Sequence, residues 1–259
     1  MPFAQLTDVR LRYELNGAET APVVVFSNSL GTNHRMWDPQ IDAFTKHFRV
    51  LRYDTRGHGE SSVTPGPYSN EQLSKDVVGL LAALELDRVH FCGLSMGGMT
   101  GMFLGAHAPE RLHKIVLCST AAKIGTRDTW NARIETVRNG GMKAVAAAVL
   151  ERWLTPGYRE THPAETNTVL EMLEHANPEG YAASCASVRD TDERQSLASV
   201  KIPSLIVAGK HDPAIPLADA QYVVEHIPGA HYAELNAAHL SNIEAKEEFN
   251  QAVLRFFES

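Results

Sequence analysis

Apolar residues along this chain fall into short clusters with two different periods. Val9–Leu15 (VRLRYEL) alternates apolar with charged or polar side chains, the period-2 pattern of a half-exposed strand, and Asn16-Gly17 follows as a turn signal. Pro22–Phe26 (PVVVF) is a continuous apolar run, which predicts a strand covered on both faces. Phe48–Tyr53, Val89–Cys92, Ile115–Cys118, Leu205–Ala208 and Ala233–Leu235 read as further short strands. The other period appears after Ser69. Gln72 stands at the capping-box spacing, and Leu73, Val77, Leu80, Leu81 and Leu84 then share one helical face. Strands separated by helical stretches imply βαβ units, hence an α/β fold with a mostly parallel central sheet flanked by helices.

That rhythm breaks between Ala122 and Leu197. Trp130–Val137, Met142–Trp153 and Glu165–His175 read as helices, with little that reads as strand, and the sheet pattern resumes at Ile202. The expectation is a core domain of residues 1–121 and 198–259 with a helical cap, 122–197, inserted into it. Glu244–Phe257 is expected to close the fold as one amphipathic helix. The chain shows no internal repeat, low-complexity tract or linker.

Composition narrows the function classes. Among 259 residues, 44% hydrophobic and 21% charged residues suit a globular protein. A net charge of -7 argues against nucleic acid as a partner, because phosphate binding needs a cationic face. An anionic ligand would need an arginine or lysine close at hand. Cys92, Cys118 and Cys185 are an odd number for a disulfide framework, which points to reduced core thiols. The first ten residues include Asp8 and lack an apolar run, so no signal peptide is expected. No run reaches the roughly 20 apolar residues of a membrane span. A soluble cytoplasmic protein is the expectation, while the oligomeric state stays open.

The chemistry is concentrated in Val89–Gly101, VHFCGLSMGGMTG, where a strand runs through Gly93-Leu94-Ser95-Met96-Gly97 directly into a helix. This is a G-x-S-x-G nucleophile elbow in its required strand–turn–helix setting, with Ser95 as the nucleophile. A serine hydroxyl needs a base, and the base needs an acid to orient it. Asp212 follows the strand Leu205–Ala208, at the sheet edge where functional groups collect, and is the acid candidate. Of twelve histidines, His239 follows the next strand, Ala233–Leu235, and is the expected base. His231 falls before that strand and His211 would crowd the acid. Two backbone N–H groups are needed for an oxyanion. Met96 follows the nucleophile and supplies one. Leu30, in the loop Ser27-Asn28-Ser29-Leu30-Gly31-Thr32 after the strand Pro22–Phe26, supplies the other.

With these residues in place the chain resembles the α/β-hydrolase superfamily over essentially its whole length. Asp54-Thr55-Arg56-Gly57-His58-Gly59 is similar to the D-x-R-G-x-G turn of that superfamily. Within it, several segments resemble the 3-oxoadipate enol-lactonases: Ser27–Thr32, Met36-Trp37-Asp38-Pro39-Gln40, Arg52–Gly59 and Ala238–Glu244. Asn28-Ser29 stands where most relatives carry His-Gly, and the enol-lactonases look like this chain there. Glu151-Arg152-Trp153 and Tyr181–Asp192 in the cap look similar as well.

The resemblance implies an α/β-hydrolase fold and hydrolysis of 3-oxoadipate enol-lactone to 3-oxoadipate, a step of aromatic-compound catabolism in the β-ketoadipate pathway. It implies no metal and no organic cofactor, and the sequence carries no H-E-x-x-H, C-x-x-C or nucleotide-binding glycine fingerprint. Such a substrate carries a carboxylate, for which Arg133 and Arg189 in the cap are the candidate anchors. Trp130 and Trp153 are candidates for the pocket wall. Alternative readings on the same scaffold are a carbon–carbon bond hydrolase of ring-cleavage products, a general carboxylesterase, and, more remotely, a hydrolase-fold ligand receptor.

Overall fold

The computed structural model describes residues 2–259. Its frame is one eight-stranded sheet. The strands are β1 (Phe3–Gln5), β2 (Arg10–Asn16), β3 (Val23–Ser27), β4 (Arg49–Tyr53), β5 (Val89–Leu94), β6 (Leu112–Cys118), β7 (Ser204–Gly209) and β8 (His231–Leu235). Their order is β1-β2-β4-β3-β5-β6-β7-β8. The first two strands pair antiparallel and β4 through β8 run parallel with β3. The predicted strands are all present, with ends that differ by at most three residues. β1 was not predicted, because three residues are too few to show a period. β8 begins at His231, so that histidine opens the strand rather than preceding it.

Side chains alternate across the sheet, and each face has its own apolar cluster. Val25, Leu51, Phe91, Leu117 and Ile206 belong to one cluster. It is covered by α2 (Asn70–Ala83), α3 (Met96–His107) and α9 (Leu217–His226), through residues such as Val77, Leu80, Met102 and Val223. Val24, Phe26, Cys92, Val116 and Val207 belong to the other, with Phe44 of α1 (Ile41–Phe44) and Phe249 and Val253 of α11 (Lys246–Glu258). The predicted cap on α2 forms: the Ser69 hydroxyl accepts from the Gln72 N–H at 3.1 Å.

Five helices stand between β6 and β7: α4 (Arg127–Gly140), α5 (Lys143–Trp153), α6 (Pro156–Thr161), α7 (Pro163–Glu174) and α8 (Pro178–Asp190). Val149, Leu173 and Tyr181 from these helices join the cluster built on Phe26 and Phe249, so apolar packing is continuous between the helices and the sheet. The sequence pattern had predicted α4, α5 and α7. It had not resolved α8, whose residues Gly180–Val188 are all buried, so no polar face marks a helical period. The local signals at its start are nevertheless present: Asn177 caps the N-terminus and Pro178 occupies the first turn.

The closing helix differs from expectation. Instead of one helix over Glu244–Phe257, α10 (Ser241–Glu244) ends at Ala245, at φ −117 and ψ 51, and α11 starts anew. Distant contacts pin the short helix. Asn242 donates to the Met36 carbonyl at 2.9 Å, and its own carbonyl accepts from the Gln40 amide at 2.7 Å. Among the described residues no helix is long and apolar enough to cross a membrane.

Candidate active site

β5 ends at Leu94, α3 begins at Met96, and Ser95 is the single residue between them. Its backbone lies at φ 58 and ψ −114, a conformation that costs a non-glycine residue roughly 1–3 kcal/mol. The surroundings hold it there. Its N–H donates to the Cys118 carbonyl at 2.9 Å, and its carbonyl accepts from the Thr120 hydroxyl at 2.8 Å. The flanking glycines are required by close approach. A Cβ on Gly93 would strike the Gly97 carbonyl, and one on Gly97 would strike the Ser27 carbonyl.

β7 delivers Asp212 and the turn after β8 delivers His239. The Asp212 carboxylate bonds the imidazole Nδ1 at 2.7 Å. Its other oxygen accepts from the N–H groups of Ala214 at 2.7 Å and Ile215 at 3.0 Å. Both side chains are buried. A carboxylate so held fixes both the ring's orientation and a proton on Nδ1, which leaves Nε2 as the basic nitrogen. His211, by contrast, is exposed and pairs with Asn236 at 2.9 Å, and His231 is exposed beside Phe256.

The loop after β3 approaches the elbow, and the Asn28 carbonyl accepts from the Gly97 N–H at 3.1 Å. Within residues 29–32 the other amides are engaged: Ser29 by Met36 Sδ at 3.3 Å, Gly31 by His58 Nε2 at 2.9 Å, Thr32 by the Ser29 carbonyl at 3.2 Å. Leu30 and Met96 keep N–H groups without an acceptor among the described residues. The Asp54–Gly59 turn supports this loop. Burial holds the His58 pKa below the ordinary histidine range, which keeps Nε2 an acceptor for Gly31. The turn is itself locked, because Asp54 accepts from the N–H groups of His34 and Glu60 at 2.7 and 2.8 Å. Arg56 is buried in ion pairs with Asp76 at 2.5 Å and Asp8 at 3.1 Å.

Ser95, His239 and Leu30 line one cavity of about 250 Å³, roofed by the helices between β6 and β7. Trp153 stacks near His239, with ring centroids 5.9 Å apart. Trp130 also lines the cavity and anchors its indole N–H on the Ile124 carbonyl at 2.7 Å. Arg133 reaches it from α4, with its guanidinium 5.6 Å from the Trp130 ring and 3.3 Å from the Tyr181 hydroxyl. Burial raises the Tyr181 hydroxyl to about 12, so it stays neutral beside that cation.

Arg189 does not join this group, which corrects its expected place as an anchor. Val188 lines the cavity, and the next residue on the helix is turned about 100° away. Arg189 pairs there with Asp190 at 2.6 Å and with Asn131 at 2.7 Å. The sequence reading missed Arg152 as a lining residue. It lies on α5 beside Trp153 and has no ion-pair partner among the described residues. Ser29, Thr129 and Tyr181 were missed as well. The quoted similarities around Ser27–Thr32, Glu151-Arg152-Trp153 and Tyr181–Asp192 covered Ser29, Arg152 and Tyr181 without giving them a place in the wall, and nothing in the sequence pointed to Thr129.

Among the described residues two arginines line the cavity and no aspartate or glutamate does. Among the described residues no group of three or more His, Cys, Asp or Glu side chains is placed to hold a metal ion. The arrangement brings a serine hydroxyl, an imidazole oriented by a carboxylate, two amides without an acceptor and a locally cationic wall to one cavity, a set of groups that suits acyl transfer on a small anionic ester.

Known proteins share this fold. Residues 22–155 match the family model of the alpha/beta hydrolase fold. The chain is 43% identical over 246 residues to 3-oxoadipate enol-lactonase 2 of Acinetobacter baylyi, covering 95% of this chain and 92% of that protein. It is 40% identical over 249 residues to 3-oxoadipate enol-lactonase 1 of the same organism, covering 96% and 93%. The crystal structure of the enol-lactonase from Burkholderia xenovorans superimposes with a TM-score of 0.98 at 43% identity, covering both chains completely.

Proposed function

The chain belongs to the α/β-hydrolase family and, within it, to the 3-oxoadipate enol-lactonases, and from that membership we propose that it opens the ring of 3-oxoadipate enol-lactone to give 3-oxoadipate. The reaction is a step of aromatic-compound catabolism through the β-ketoadipate pathway. The observation that carries the assignment to this site is the cavity wall: Ser95 and His239 share it with Arg133 and Arg152 and with no carboxylate, in a chain of net charge -7. Such a wall favours an anionic ester over a neutral one.

In this reading His239 Nε2 removes the Ser95 proton while Asp212 holds the ring. The Ser95 oxygen attacks the lactone carbonyl carbon, and the carbonyl π pair moves onto oxygen, where the N–H groups of Leu30 and Met96 stabilise it. The ring C–O bond then breaks. The departing group is an enolate, a better leaving group than an alkoxide; it takes the Ser95 proton back from His239, which leaves the imidazole neutral, and tautomerises to the ketone. It remains tethered, because the ester was cyclic. His239 next activates a water that cleaves the acyl-enzyme and releases the dicarboxylate. Arg133 binds the side-chain carboxylate, with Trp153 as part of the wall. No metal or organic cofactor enters any step.

Residues 122–197 act in this reading as a cap over a core of 1–121 and 198–259. The cysteines support a cytoplasmic setting: all three are buried and unbridged, with the sulfurs of Cys92 and Cys118 3.7 Å apart.

The test is spectrophotometric turnover of freshly generated enol-lactone beside a panel of neutral esters and vinylogous ring-cleavage acids. Preferred turnover of the lactone is the expected result. Faster turnover of a carbon–carbon substrate or of neutral esters would overturn it.

A further inference from the structure

We propose that the Ser29 hydroxyl is a third hydrogen-bond donor to the oxyanion, beside the N–H groups of Leu30 and Met96; this rests on the reading of Ser95 as nucleophile. Ser29 is 1% exposed and lines the same cavity as Ser95, Leu30 and His239. Its hydroxyl has no hydrogen-bond partner among the described residues.

The neighbouring polar side chains of the same loop are all paired. Ser27 Oγ lies 2.8 Å from the Tyr53 hydroxyl. Asn28 donates to the Tyr53 carbonyl at 2.7 Å and accepts from the Trp37 indole at 3.0 Å. Thr32 donates to the Ser29 carbonyl at 2.8 Å. Ser29's own backbone is tied down at both ends, through its N–H to Met36 Sδ and through its carbonyl to Thr32. The loop therefore satisfies every one of these polar side chains except the one next to the free Leu30 amide. An unpaired buried hydroxyl is a standing cost to the fold, and a buried polar group without a partner calls for a reason. An oxygen that becomes negative only during reaction is such a reason. Ser29 transfers no proton in this role: the Ser95 proton goes to His239, and the Ser29 O–H lends a hydrogen bond to the new oxyanion until the carbonyl re-forms.

A structural hydroxyl and a catalytic one predict opposite signatures for Ser29→Ala. Loss of an oxyanion donor lowers kcat by roughly tenfold to a hundredfold with little change in KM. The fall is equal for the enol-lactone and for 4-nitrophenyl acetate, since both form the same oxyanion. Tm stays level or rises, because the hydroxyl has no partner in the free protein. A small alkylboronic acid, which takes the Ser95 oxygen as its fourth ligand, should bind Ser29→Ala and Ser29→Gly at least ~tenfold more weakly than the unsubstituted enzyme. Unchanged kcat and boronate affinity would overturn the proposal, as would a fall in Tm that accounts for the lost activity. An unsubstituted enzyme active on the nitrophenyl ester and inactive on the enol-lactone would refute the substrate reading alone, and the ester and boronate comparisons would still decide Ser29.

Discussion

Thr155 and Glu244 are bonded to each other across the boundary between the inserted helices and the sheet: the Thr155 hydroxyl and N–H both donate to the Glu244 carboxylate. The same carboxylate accepts from the Ala238 N–H at 2.9 Å, one residue before His239. One residue after it, the Leu240 N–H donates to the Trp153 carbonyl at 3.0 Å. The turn bearing His239 is thus held on both sides by the helices that roof the cavity.

Glu244→Ala is accordingly expected to lower stability by about 1.5–3 kcal/mol, the range for hydrogen bonds to a charged acceptor. Activity should fall further than that loss explains, because the imidazole loses its fixed approach to Ser95. Urea unfolding and kcat measured on the same preparation check both parts. Full activity in a destabilised variant would mean that Trp153 and Asp212 position His239 without help.

Ser95→Ala should abolish steady turnover and leave the fold intact. The alanine inherits the strained backbone at φ 58, so no gain in stability from relaxation is expected. Residual hydrolysis slightly above the uncatalysed rate is consistent with binding and the free amides alone. More than a few per cent of the original rate would remove Ser95 from the nucleophile role.

Substrate anchoring separates the two lining arginines from Arg189. Arg133→Ala should lower kcat/KM for the enol-lactone by roughly tenfold to a hundredfold, while a short neutral nitrophenyl ester changes little. Arg189→Ala should affect both substrates slightly and equally, because its guanidinium is already paired with Asp190. Arg152→Ala tests the residue revealed only by the structure, and a loss confined to the charged substrate would make it a second anchor. Equal losses on charged and neutral substrates for Arg133→Ala would reduce that residue to a packing role.

Acid sensitivity of the fold should trace in part to His90. It is 8% exposed, packs 4.8 Å from the Phe257 ring and 5.5 Å from Phe48, and its Nδ1 has no partner among the described residues. Burial, with His113 and Lys114 nearby, pushes its pKa from 6.5 down to about 4. Between those values the unfolded chain binds the proton that the folded one refuses. Stability therefore rises with pH across that window and is lost on acidification, by on the order of 2–3 kcal/mol near pH 4. Thermal unfolding of the parent and of His90→Leu at pH 7.5 and 5 checks this, with a smaller pH difference expected in the variant. An identical pH difference in both proteins would exclude His90.

Much of the fold and the centre of the site follow from information confined to a few residues. The apolar runs of β3, β5, β6 and β7 mark strands buried on both faces whatever their neighbours are. Ser69 and Gln72 cap a helix three residues apart. Gly93 and Gly97 bracket Ser95 within five positions, a pattern readable by itself even though the carbonyl that excludes a side chain at Gly97 belongs to the distant Ser27. Asp212 and His239 were legible from strand order, since each follows the C-terminal end of a parallel strand.

What lay beyond the sequence depends on partners far along the chain. Arg133 and Arg189 are alike as residues, and only the packing of α4 against α8 turns one into the cavity and the other onto Asp190. Arg152 enters the wall, and Glu244 bridges Thr155 to Ala238, through contacts that no local period encodes. The break at Ala245 follows from bonds spanning about two hundred residues, between Gln40 and Asn242. Helical and strand periods record which face of an element is buried; they do not record what buries it. For that reason the elements and the strained elbow at Ser95 were set by the sequence, while the composition of the cavity wall was decided only when the tertiary structure brought those elements together.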